Sequence, residues 1–350
     1  MSDENSYASS NGNPRTLLEV TDLETHYTGF GGSRVVRAVD GLSFTLAEGQ
    51  TVGLVGESGC GKTTTCLSLV RLLAHGAEIM GGSIKLDGRE ITTLTEPEMA
   101  DVRGNEIAMI LQDPMTSLNP LFDIGDQVGE PAERHDGLKG EGLKERIKAL
   151  LNSVRIPSPA VRMAEYPHQM SGGMRQRIAG AIALAGTPKV VIADEPTTSL
   201  DVTIQAQYLD LLRQLQDDTG IGLIFVTHDL GIVAKMCDEV IVMYAGRAVE
   251  QGPVRDIFTQ PAHPYADALI RSVPKLGSKE PLYRIEGQPP DLSKLPPGCS
   301  FAPRCPVADE RCHAESPPLL EIGPNHKAAC WKLDEFAATI TEPAYSVKRR

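Results

Sequence analysis

An α/β fold, with a buried and largely parallel sheet and a small loop-rich tail, is what the sequence predicts, and three observations carry it. Apolar β-branched runs such as KVVIAD (189–194) and GLIFVTHD (222–229) alternate with helical stretches, the pattern of a sheet covered on both faces. A glycine-rich loop, GLVGESGCGKTT (53–64), stands between one such run and a helical one. From about Pro253 the composition turns to proline, with QPPDLSKLPPG (288–298), and to cysteine, which marks a boundary.

Each element follows in order. The first sixteen residues are polar, acidic and poor in apolar side chains, without the basic start and apolar core of a secretory signal, so a disordered tail is expected over 1–16. Short β-like runs broken by turns fill Leu17 to about Leu94, interrupted by one helical stretch over Lys62–Leu73. In GLKERIKALLNSVRI (142–156), Leu143, Ile147, Leu150, Leu151 and Val154 make one apolar helix face, which calls for nothing beyond packing. After Gly186 strand KVVIAD, helix QAQYLDLLRQLQDD, strand GLIFVTHD and hairpin VIVMYAGRAVEQG follow one another. No apolar run approaches the roughly 20 residues of a membrane helix, so any membrane role is expected to pass through a partner. The net charge of −12 argues against a general nucleic-acid binder.

The glycine-rich loop has a chemical reading. Gly56-x4-Gly61-Lys62-Thr63 lets backbone N–H groups of residues 56–64 (Gly56, Glu57, Ser58, Gly59, Cys60, Gly61, Lys62, Thr63, Thr64) curl around phosphate oxygens at a helix N-terminus. Lys62 then reaches the β/γ-phosphates and the Thr63 hydroxyl ligates Mg²⁺. Asp194 and Glu195 end a buried strand, where a second Mg²⁺ contact belongs: Asp194 for the metal, Glu195 to polarise the attacking water. His228 ends another apolar strand; a lone histidine is ordinarily structural, but its place at a strand's carboxyl end makes it a γ-phosphate candidate.

Ser171-Gly172-Gly173 in MSGGMRQR opens a helix with Ser as N-cap, a second anion-binding helix end. With the P-loop it resembles the ATP-binding cassette (ABC) ATPases, over residues 17–252 and with the motifs in the expected order. The resemblance implies a RecA-like core with an antiparallel β subdomain and a helical subdomain at about 97–180. It also implies a Mg²⁺- and water-sensing role for Gln112, a dimer-contact role for Asp201 and adenine stacking by Tyr27. By the same resemblance His228 is the switch histidine and Glu195 the catalytic glutamate, with ATP bridging the P-loop of one subunit and Ser171 of another. Met174 stands where many cassettes have Gln; Ser171 and Gly173 carry the phosphate contacts, so activity is expected to survive.

LQDPMTSLNPLF (111–122), QPAHPYADALIRSVP (260–274) and IEGQPPDLSKLPPGCSFAPRC (285–305) extend the resemblance to the dipeptide/oligopeptide importer ATPases. That branch implies two membrane permease subunits, a second ATPase chain, commonly related but different, an extracytoplasmic binding protein, and a place at the cytoplasmic face of the membrane. A different class, a soluble cassette acting on DNA or ribosomes, ordinarily shows two cassettes in one chain, coiled-coil insertions or basic arms.

Seven cysteines are unevenly placed: Cys60, Cys66 and Cys237 singly, and four as Cys299-x5-Cys305-x6-Cys312-x17-Cys330. This favours one local cysteine site over a secreted disulfide scaffold. Zinc (with His313 or His326 adding nitrogen), a [4Fe–4S] cluster and unligated thiols stay open; the importer family's extension carries such cysteines, and some members hold a [4Fe–4S] cluster. The segment is expected over 253–335, with a tail at 336–350; nothing places it near ATP, and a structural clip is preferred to electron transfer. Cys60, inside the P-loop, reads as a small space-filler or a thiol reactive without nucleotide, and Cys66 and Cys237 as core.

Overall fold

The structure, a computed structural model, describes residues 14–29, 34–112, 117–198, 200–274 and 283–337. Most of the expected tails at 1–16 and 336–350, and part of the 111–122 segment, lie outside the described residues.

The strands, in chain order, are β1 (Thr16–Thr28), β2 (Val35–Ala47), β3 (Thr51–Val55), β4 (Ala77–Leu86), β5 (Arg89–Glu90) and β6 (Ile107–Ile110), then β7 (Val190–Asp194), β8 (Gly222–Val226), β9 (Glu239–Tyr244), β10 (Arg247–Pro253), β11 (Leu320–Gly323) and β12 (His326–Ala328). An antiparallel sheet has the order β2-β1-β4-β5, and the main sheet the order β11-β12-β10-β9-β3-β8-β7-β6. In the main sheet the pairs from β9 to β6 are parallel, while β10, β12 and β11 close one side antiparallel.

Alternation explains why the parallel strands are apolar throughout. Val190 and Ile192 face a cluster with Leu18, Leu42, Phe44 and Ile84 of the antiparallel sheet, whereas Val191 and Ala193 face one built on the helices. β9 and β10 turn on Ala245 and Gly246, both at positive φ, as a two-residue hairpin with the native twist requires.

Between β6 and β7 the chain leaves the sheet for helices Ile124–Asp136, Gly140–Ser153, Pro159–Arg162 and Gly172–Leu184. The second of these buries Ile147, Leu150 and Leu151 as one stripe, and its Ile147 side chain fills the room left by Gly129 on the first.

The stretch after Pro253 is joined to the core rather than hung from it. Helices Val254–Thr259 and Pro264–Arg271 place Ile257, Phe258, Tyr265 and Ile270 in the helix-side core, and Phe301 joins them. The β11–β12 hairpin extends the main sheet by pairing Ala328 and Lys327 with Glu250 and Gln251 of β10. Glu250 is fully buried there and accepts hydrogen bonds from the N–H groups of Ala262 and His263, each at 2.8 Å, with His326 Nε2 also 2.8 Å away.

Candidate functional site

The P-loop runs from the end of β3 into helix Lys62–Leu69 around a cavity of about 390 Å³ lined by Ala38, Gly56, Ser58, Gly59, Gly61, Lys62, Thr63, Thr64, Gln112, Glu195 and His228. Two glycines are required by space and conformation together. Gly61 has φ 111°, and a Cβ there would lie 2.3 Å from the Ala38 carbonyl oxygen; at Gly56, φ 150°, it would lie 2.2 Å from that of Met243. The Lys62 ammonium is folded back, donating to the Gly56 and Glu57 carbonyls at 2.8 and 3.0 Å, so the loop already concentrates positive charge where phosphate would sit.

Glu195 caps this cavity from the end of β7. Its backbone N–H donates to Val226 at 2.8 Å and its φ is 47°, a left-handed conformation that a non-glycine residue holds only where its surroundings impose it. One carboxylate oxygen, Oε2, gathers three neighbours: Gln112 Nε2 at 3.1 Å, Thr198 Oγ1 at 2.9 Å and His228 Nδ1 at 3.3 Å. Asp194 lies beneath, almost wholly buried, with Oδ1 lacking any hydrogen-bond partner. Burial pushes its carboxyl pKa up, a Thr63 hydrogen bond opposes the shift, and the Glu195 charge adds to it. A buried, half-satisfied carboxylate beside a threonine hydroxyl and a glutamine amide is a donor set that fits a hard divalent cation.

The four late cysteines come together. Cys299, Cys305, Cys312 and Cys330 all line one small apolar cavity with His263, Phe301, Trp331 and Lys332. Backbone closeness builds it: the Cys299 N–H donates to the Cys312 carbonyl at 2.8 Å, and a Cβ on Gly298 would lie 2.3 Å from that same oxygen. Burial raises all four thiol pKa values, to about 11 for Cys305 and Cys330, and neighbouring thiols raise those of Cys299, Cys305 and Cys330 further. Against that, backbone N–H groups of Phe301 and Ala302 point at Cys299, that of Val307 at Cys305 and that of Lys332 at Cys330. Such donors favour thiolate but offset the effect of burial only in part, so all four pKa values stay raised. Among the described residues no three His, Cys, Asp or Glu side chains stand close enough to chelate a single ion. Of the candidate nitrogen ligands, His326 is engaged by Glu250 and His313 is exposed on the surface.

Residues 39–198 match the family model for the ABC transporter, and residues 249–312 that for the oligopeptide/dipeptide transporter C-terminal region. A probable peptide ABC transporter ATP-binding protein of Sinorhizobium fredii is 49% identical over 328 residues, 92% of this chain and 97% of the relative. The chain belongs to the ABC transporter ATP-binding proteins. The oligopeptide transport ATP-binding protein OppD of Salmonella typhimurium is 48% identical over 318 residues, covering 90% and 93% of the two chains. Among solved structures, the dimeric bacterial ABC transporter cassette MJ0796 superposes with TM-score 0.61 at 25% identity, over 68% of this chain and 99% of that one. The cbiO1 protein of Clostridium perfringens gives 0.60 at 27% identity, over 70% and 91%.

Against this ABC cassette the expected site residues divide into groups. Gly56, Ser58, Gly59, Gly61, Lys62, Thr63, Thr64, Gln112, Glu195 and His228 share the cavity, with Asp194 under it. Tyr27 stands at its margin, its hydroxyl 3.4 Å from Thr64 Oγ1. Glu57 and Cys60 are not among the lining residues: the Glu57 carboxylate turns outward, and Cys60 is packed inside with its thiol pKa raised by burial. Cys66 and Cys237 are buried as well. Ser171, Gly172 and Gly173 sit elsewhere, at the start of helix Gly172–Leu184, where Ser171 Oγ accepts from Met174 N–H at 3.3 Å. Asp201 caps helix Val202–Thr219 through the N–H groups of Thr203 and Ile204, both at 3.1 Å. Sequence reasoning missed Thr198, Tyr265 and Arg304; the last reaches Glu57, so the cysteine segment lies against the ATP loop, a placement that the sequence leaves open. Its one signal was a lone arginine set between two cysteines in CSFAPRC.

Proposed function

We propose that this chain is the ATP-hydrolysing subunit of a peptide importer, working as a dimer with a second cassette beneath two membrane permeases fed by an extracytoplasmic binding protein. The observation that carries it is the convergence of Lys62, Gln112, Glu195 and His228 on one cavity. Lys62 leaves the loop carbonyls to hold the β/γ-phosphates, and the loop N–H groups take the remaining oxygens. Glu195 accepts the proton of the attacking water, while Gln112 and His228 orient that water and the γ-phosphate. Thr63, Gln112 and Asp194 would hold Mg²⁺, which neutralises phosphate charge when bound. Tyr27 offers a ring to adenine. Ser171–Gly173 and Asp201 lie outside this cavity, which suits residues that complete a partner's site and receive its own in return.

No helix among the described residues is long and apolar enough to cross a membrane, which suits a subunit docked on the inner face through permeases. Peptide as cargo is supported by the relatives' names and by the matched C-terminal region. The four cysteines we assign to a [4Fe–4S] cluster, which would bind the segment together.

The test is reconstitution with both permeases and the second ATPase in vesicles. Peptide-loaded binding protein should stimulate ATP turnover and load the lumen with peptide; stimulation by no peptide, or turnover indifferent to the permeases, refutes the reading. Iron and sulfide analysis of anaerobically purified protein tests the cluster, and a colourless, zinc-loaded sample refutes it.

A further inference from the structure

The outward-turned Glu57 is held twice, both times by residues beyond the cassette's sheet. Its carboxylate receives a two-pronged bond from Arg304, Nη1 to Oε2 at 2.7 Å and Nη2 to Oε1 at 3.0 Å. Its backbone N–H donates to the Tyr265 hydroxyl at 2.8 Å. The arginine side chain is only 4% exposed, and every one of its donor directions is used: Nη1 also meets the Tyr244 hydroxyl at 3.1 Å, Nε the Glu286 carbonyl at 2.9 Å and Nη2 the Ile285 carbonyl at 3.3 Å. Around it Tyr244, Tyr265 and Phe301 pack ring to ring at 4.6–5.4 Å.

This arginine directly precedes Cys305, and Phe301 lies on the same short loop between Cys299 and Cys305. The loop therefore presents one face to the cysteine cavity and the other to the P-loop. A buried bidentate pair with rigid aromatic walls leaves little slack, so a shift on either side must move the other. On the P-loop side, the residue gripped is next to Gly56, whose carbonyl holds the Lys62 ammonium.

We propose that Arg304 is a positioning residue for the nucleotide site, which makes the P-loop and the cysteine-lined cavity one mechanical unit. Nucleotide occupancy is then felt at the cavity, and the integrity of the cavity sets nucleotide affinity, by the reciprocity that binds any two linked sites. The inference rests on the ATP-site reading above. It does not require that the cavity hold a particular cofactor.

The chain carries its own reporter. Trp331, its one tryptophan, lines the cysteine cavity, with its indole N–H on the Glu315 carbonyl at 3.0 Å and the Arg311 guanidinium 3.5 Å above its ring. Titration of the full-length chain with MgATP and MgADP should change Trp331 emission in the wild type. Arg304→Met and Glu57→Gln should each weaken nucleotide binding about tenfold, the weight of one charge-assisted contact. The double variant should be no weaker than the worse single one, because both remove the same pair. Saturating MgADP should leave Trp331 unchanged in Arg304→Met, and Arg304→Lys should recover part of both signals. Glu57→Gln, at a partly exposed side chain, carries the test should Arg304→Met fail to fold.

Affinity within twofold of wild type in both single variants, additive losses in the double variant, a Trp331 response undiminished in Arg304→Met, or a wild type silent at Trp331 each overturns the proposal. Lys62→Ala probes the ATP-site reading separately. It should lower MgATP affinity in every background, and unaltered binding without Lys62 refutes that reading rather than the bridge.

Discussion

At the scale of single residues, the site keeps two carboxylates in opposite conditions. Glu195 is surrounded by donors and faces the cavity in a strained conformation, while Asp194 is buried with one oxygen unsatisfied. Glu195→Gln keeps shape and loses only the proton acceptor, so ATP binding should persist while turnover in the purified complex falls about a hundredfold or more; unchanged turnover removes the general-base assignment. Asp194→Asn has a divided outcome. It should stabilise the nucleotide-free chain by about 1 kcal/mol, since a buried charge is removed, and abolish the Mg²⁺ dependence of ATP binding; thermal unfolding with and without MgATP reads both. The P-loop residues were legible because contiguous spacing encodes them. Arg304 was not, because its partner lies 247 residues away and no local pattern records such a meeting.

At the scale of elements, long apolar runs announced their strands, and the 3.6-residue stripe of 143–154 announced its helix. Ends were less legible. The P-loop helix, expected to reach Leu73, stops at Leu69 because Val70 leaves helical geometry and Arg71 adopts φ 50°. β11 and β12 are too short, at four and three residues, for any alternation to register, and they exist because β10 offers them an edge. Their anchor is side-chain chemistry: His326 on the buried Glu250. His326→Ala should cost about 2 kcal/mol, because it strips a partner from a carboxylate that cannot reach water. Faster hydrogen exchange at residues 320–328 than elsewhere would locate the loss, and uniform destabilisation would argue that the hairpin does not detach on its own.

At the scale of the whole molecule, the cassette exposes apolar side chains in places that a lone globule would not choose. Leu121 is 81% exposed and Phe122 52%, and Phe122 helps line a cavity of about 930 Å³ with Gln127, Ile147 and Met163 in the helical region. On the importer reading proposed above, this is where a protruding element of a membrane partner would seat. Leu121→Asp with Phe122→Asp should leave nucleotide affinity of the isolated chain within twofold while reducing co-purification with the permeases at least about tenfold; undiminished co-purification moves the docking face elsewhere. The sheet was legible at this scale but the placement of the last hundred residues was not, since proline-rich composition describes a chain's stiffness and says nothing of what it rests against.

The pairing of β12 with β10 also bears on the chain's life before assembly. A cassette ending at Pro253 would present the backbone of β10 as an open template, ready to recruit the same strand from a neighbour in a crowded translation zone. With the hairpin in place the outermost strand is β11, four residues long, with Glu321 in its middle. The final segment thus covers, at Glu250 and Gln251, part of an edge that the cassette alone would leave open.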